Sequence, residues 1–149
     1  MTLATIIFTL YILFYWESGV KSISMSAYEN GNWSRLGFFL MMACVGIVFA
    51  NQEGKEFWGF SAYAIAGGFL VIAGLSFDHQ TPTIKQIHHV ASSIAIVFGF
   101  VALWRLEAML VFVVLSLIAY FVGRKRFLFH LEWIAFYDII IFKLIDHAN

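Results

Sequence analysis

The stretch "FDHQTPTIKQIHHVASS", residues 77–93, gathers Asp78, His79, His88 and His89 around one turn between two apolar runs. Imidazole and carboxylate are ligands for zinc and iron, and histidines on facing helices are a usual way for a bundle to hold a cofactor. A second polar set follows in "FHLEWIAFYDIIIFKLID", which carries His130, Glu132 and Asp138. Asp78, His88 and His89 are therefore candidate catalytic groups. His88, His89, His130 and Asp78 are candidate metal ligands, and His79, His130, Glu132 and Asp138 are candidates for holding a cofactor, with zinc or haem the chemistries that fit.

Spacing limits what this set can do. His88 and His89 are neighbours, so on a helix they point about 100° apart and cannot both face one ion. No HxxxH, HExxH or CxxC pattern occurs, while Ser92 and Ser93 each follow one of these histidines by four residues, on its own face. A plainer role competes with the cofactor: interfacial histidines that cap helices and bond hydroxyls or lipid phosphates. Asp138 sits in the middle of an apolar run, where an ionisable group is expensive and is either functional or a hydrogen-bonded acid that locks the bundle. Tyr63, Tyr120, Ser116 and Lys143 are its candidate partners. Glu132 lies closer to the end of its run, where pairing with Arg124 or Arg126 would account for it. No G-x-S-x-G, P-loop or paired-glycine fingerprint is present, which removes the usual soluble-enzyme classes.

The elements that must position these groups are apolar. Of 149 residues, 62% are hydrophobic and 12% charged, far from the composition of a soluble domain. The expected fold is all-α, one polytopic membrane bundle over residues 1–149, with spans at about 3–16, 33–50, 57–77, 87–104, 108–122 and 127–145. The runs lack the two-residue alternation of a barrel, and the first lacks the basic flank and cleavage pattern of a signal peptide, so it is expected to be retained. Six spans put the end of the third and the starts of the fourth and sixth on one face, which brings His79, His88, His89 and His130 to the same side as Asp78 and Glu132. The first connection, residues 17–32, is long and rich in Ser, Asn and Gly, and is expected to fold back at the interface.

Lys21, Arg35, Lys85, Arg124, Lys125 and Arg126 fall in loops one, three and five, against Lys55, Arg105 and Lys143 on the opposite side, so the positive-inside rule predicts that those three loops are cytoplasmic. Net charge is zero, which argues against nucleic acid as a partner. The five tryptophans fall near the ends of runs, as an interfacial belt would place them. Gly46 and Ala50, Ala64 and Gly68, and Gly67 and Gly74 recur at helical spacing and predict close helix approach. Cys44, the only cysteine, is expected in packing.

The order of features resembles a known family. A first span, a polar segment "SISMSAYENGNWSRLGFF", then "FDHQTPTIKQIHHVASSIAIVFGF" and "HLEWIAFYDIIIF" is similar to the six-span damage-regulated autophagy modulator family, with His88 or His89, Glu132 and Trp133 at the matching positions. The proline-rich first loop of that family is missing, and its orientation is opposite to the one the charge count predicts. A wider resemblance is to the ceramidase and adiponectin-receptor-like hydrolases, in which Ser, Asp and His hold zinc. It would assign those roles to Ser24 or Ser26, Asp78, His88 or His89, and His130, although the paired-histidine motif of the last span is absent. The expected function is binding, scaffolding or regulation within the bilayer, in contact with lipids and with other membrane subunits or further copies of the chain. The alternatives are a metal-dependent lipid hydrolase and a haem- or proton-carrying subunit of a membrane complex.

Overall fold

The computed structural model describes residues 2–16, 23, 32–53, 56–57, 59–76 and 81–148. Within them the chain is all-α apart from one small ribbon. The helices are α1 (Thr2–Tyr15), α2 (Asn32–Ala50), α3 (Ala62–Leu75), α4 (Pro82–Leu103), α5 (Leu106–Val122) and α6 (Phe127–Ala148). The ribbon pairs β1 (Glu56–Phe57) antiparallel with β2 (Phe60–Ser61) just before α3. Asp78, His79, Ser24 and Ser26 lie outside the described residues.

Two helix starts differ from the run boundaries, each for a local reason. The run at 57–77 begins as the ribbon, because Gly59 turns the chain with φ +81, a conformation that favours glycine. Ser61 then caps α3: its Oγ accepts the Ala64 amide at 3.1 Å and donates to the Gln52 carbonyl at 3.0 Å. The fourth helix starts at Pro82 and not at residue 87, since proline has the backbone angle of a first helical position and needs no amide partner there. The polar residues Thr83, Lys85 and Gln86 are thus an exposed first turn.

Helices α1 to α4 pack in sequence order, and α6 returns against both α4 and α1, so five helices surround one interior. Helix α5 stays outside and rests mainly on α6. Its axis meets that of α6 at a bend of 118°, through the 3-10 turn Arg124–Arg126. Only Ala108 of α5 is buried, and Val114, Ile118 and Phe121 face outward. Two helical segments, Trp33–Ala50 and Pro82–Leu103, are long and apolar enough to cross a membrane, or three if α5 and α6 form one bent span.

An aromatic chain crosses the interior. Phe8 of α1 stacks on Phe136 of α6 at 3.8 Å between centroids, Phe136 meets Phe49 of α2 at 5.5 Å, and Phe49 meets Tyr63 of α3 at 5.9 Å. Such ring pairs add directional attraction to the area they bury. Helices α2 and α3 touch backbone to backbone: a Cβ on Gly46 would lie 2.6 Å from the Gly67 carbonyl oxygen, and one on Gly67 would lie 2.7 Å from the Ala50 amide nitrogen. A Cβ on Gly74 would likewise meet Met42 at 2.7 Å. Gly68, by contrast, faces open space, and Cys44 is exposed on the outer face of α2 and not within the packing.

The contrast between adjacent glycines gives a test. Gly67→Ala is expected to cost about 1–3 kcal/mol through overpacking, whereas Gly68→Ala is expected to be neutral or to gain up to about 1 kcal/mol from helix propensity. Unfolding midpoints of both variants in detergent micelles measure the difference.

Candidate functional site

The five-helix interior is incompletely filled. A partly open cavity of about 80 Å³ lies between α1, α2, α3, α4 and α6. Its walls are the rings of Phe8, Phe38, Phe49 and Phe136 with Met42, Leu70, Ile96 and Ile139, and its polar groups are His88, Ser92 and Glu132. Helical spacing produces this lining. His88, Ser92, Ala95 and Ile96 form one stripe of α4, and Glu132, Phe136 and Ile139 form the facing stripe of α6, each at steps of three and four residues.

His88 is 2% exposed, and its Nδ1 donates to the Ala73 carbonyl oxygen at 2.9 Å. Ala73 belongs to the last turn of α3, whose carbonyls have no helical partner of their own, so the imidazole of α4 caps α3. A carbonyl can only accept, which fixes the proton of the neutral ring on Nδ1 and makes Nε2 the basic nitrogen. The Phe38 ring lies 6.2 Å from the imidazole. His89 turns outward and is exposed, its ring 5.8 Å from that of His88 and inclined to it by 71°. The two histidines therefore serve different environments, as adjacent helical positions must.

Glu132 has a backbone partner. Its Oε2 accepts the Ile23 amide at 2.6 Å, across 109 residues of sequence. Ile23, from the long first connection, is 5% exposed and lines the cavity. Arg126, one of the two arginines expected to pair with Glu132, instead donates from Nη1 to the Trp16 carbonyl at 2.7 Å and lies 4.5 Å over the Phe129 ring.

His130 belongs to this second, aromatic group. Trp133 Nε1 donates to its Nδ1 at 3.1 Å, and its ring sits 6.2 Å from Trp16 and close against Gly123, where a Cβ would lie 2.5 Å from His130 Cδ2. It does not line the cavity. Among the described residues no three His, Cys, Asp or Glu side chains converge as metal ligands. The histidines brought to one side in the six-span scheme thus divide between a buried cap (His88), an outer surface (His89) and an aromatic cluster (His130).

Asp138 is 4% exposed, and its Oδ2 has no hydrogen-bond partner among the described residues. Two of its expected partners are engaged together elsewhere: Lys143 Nζ donates to the Glu53 carbonyl at 2.8 Å and lies 5.0 Å over the Tyr63 ring. The Tyr63 hydroxyl and Ser116 Oγ are buried and, among the described residues, also without a hydrogen-bond partner.

Sequence alone missed the four phenylalanines as a site, although Phe136 stands four residues after Glu132 and so on its face. It also missed the Ile23 amide, for which side-chain types carry no signal. Neither a protein-family model, nor a curated protein, nor a solved structure matches the chain.

An unpartnered buried oxygen costs about 1–3 kcal/mol. Asp138→Leu, close in volume and without polar atoms, is expected to unfold at the same temperature as the parent or higher in a thermal melt in detergent. A fall of several degrees would show that the carboxyl group holds a bond that stabilises the bundle.

Proposed function

We propose that this chain is a six-span membrane protein that binds a single-chain amphiphile in the cavity between α1, α2, α3, α4 and α6. The cavity carries the proposal: a partly open, phenylalanine-lined space with a carboxylate, an imidazole and a hydroxyl at its polar positions. Ligand sites are typically concave and mostly apolar, with a few placed polar groups that set orientation.

Membrane residence is supported by the outer surface. Leu10, Ile47, Val97, Val114 and Phe121 are all more than half exposed and apolar, a distribution suited to lipid and costly in water. Helices α1 and α3 have 14 residues each. They reach about 21 Å at 1.5 Å per residue, short of a hydrocarbon core of about 30 Å. Local thinning of the bilayer absorbs such a mismatch at modest cost. Loops one, three and five face the cytoplasm in this scheme, in keeping with their excess of Lys and Arg.

A short alkyl diazirine, photoactivated on the purified protein in detergent, tests the function. Crosslinks are expected on the α4 and α6 stripes that line the cavity as well as on the outer face of α5. Ala95→Leu fills the cavity, because Ala95 is 4% exposed and lines it. It is expected to reduce the cavity crosslinks about tenfold, the equivalent of about 1.4 kcal/mol of lost binding, while those at Val114 and Phe121 stay constant. Equal labelling of the cavity in both proteins would contradict the proposal.

A further inference from the structure

One side chain in the cavity has half of its bonding capacity committed. Glu132 uses Oε2 for the Ile23 amide, and Oε1 meets no hydrogen-bond donor among the described residues. No lysine or arginine is among the residues that line the cavity. Glu132 is thus part of the lining of a mostly apolar space that holds no lysine or arginine. Around the space stand the rings of Phe8, Phe38, Phe49 and Phe136, and aromatic faces attract cations through their quadrupole.

This arrangement discriminates among polar ends. A phosphate or carboxylate end would meet a like charge and no lysine or arginine in the lining. A neutral hydroxyl would gain a hydrogen bond and leave the charge uncompensated. An ammonium brings the missing charge, three donors and a compact shape. We infer that the cavity takes the protonated amine of a single-chain alkylamine, held by Glu132 Oε1 and the Ser92 hydroxyl, with its first methylenes among the phenylalanine rings. This rests on the binding function proposed above and specifies the ligand for the same site. A cavity of about 80 Å³ lies well above the roughly 10–15 Å³ that one water molecule needs. The head and the start of the chain fit inside, and the remaining tail leaves through the open side.

The test is displacement of the alkyl diazirine from the cavity of the full chain in detergent at pH 7 by octylamine, octanol or octanoate. Crosslinks on the outer face of α5 serve as the control for partition into the micelle. Octylamine is expected to compete about tenfold more strongly than octanol, the margin of a charge-assisted bond over a neutral one, and octanoate least of all. Glu132→Gln keeps a carbonyl oxygen for the Ile23 amide and is expected to remove the advantage of octylamine over octanol. Equal competition by octylamine and octanol in the parent protein, or a stronger effect of octanoate, would overturn the amine and leave amphiphile binding standing. An amine preference that survives Glu132→Gln would remove Glu132 as its source and overturn the assignment. A cavity that the diazirine never labels would overturn the binding function itself.

Discussion

The bond from the Ile23 amide to the Glu132 carboxylate joins positions 109 residues apart in the sequence. Inside an apolar bundle a backbone amide without an acceptor is expensive. The Glu132 carboxylate provides it from α6. In doing so it brings an apolar side chain to the cavity and gives the carboxylate a reason to stand inside the five-helix ring. Without that acceptor the amide loses its bond to α6, and the hold on one residue of the cavity wall is weakened.

That closure depends on the rest of the bundle being rigid. The contact between Gly46 and Gly67 brings α2 and α3 together at backbone distance, and the His88 cap on Ala73 fixes α4 against the end of α3. Helix α6 then completes the ring through the Phe8–Phe136–Phe49 stack. Arg105 pairs with Asp146 at 2.5 Å, joining the α4–α5 turn to the far end of α6. The cavity is what remains between surfaces held by these contacts. It persists where Ala95 and Ser92 present small side chains opposite Phe136 and Ile139, leaving a gap that larger residues would fill.

Much of this scaffold was legible in the sequence, because helix-forming apolar runs and small residues at helical spacing act locally. The six helices followed from the apolar runs, and the divergence of His88 and His89 and the close approach at Gly46, Ala50 and Gly67 from helical spacing. Gly68 shares that spacing but faces open space, since the pattern does not say which stripe meets a neighbour. The ribbon before α3 was hidden in an apolar run, where Phe57 and Phe60 read equally well as helix. The site was less legible than the scaffold for a chemical reason. Side-chain patterns suggest side-chain partners, so Glu132 was matched with arginines and His88 with a metal, whereas both bond to backbone groups. The pairing of Lys143 with the Tyr63 ring and the Glu53 carbonyl depended on where α3 and α6 meet.

Cysteine protection measures whether Glu132 holds Ile23 against the cavity through its amide. With Cys44 replaced by serine, Ile23→Cys is labelled with a membrane-impermeant maleimide in proteoliposomes, with and without Glu132→Ala. The thiol is expected to be protected while Glu132 is present and to react about tenfold or more faster once the acceptor is gone, as for a bond worth about 1.5–3 kcal/mol. Equal rates in the two proteins would show that Glu132 does not hold this segment in place.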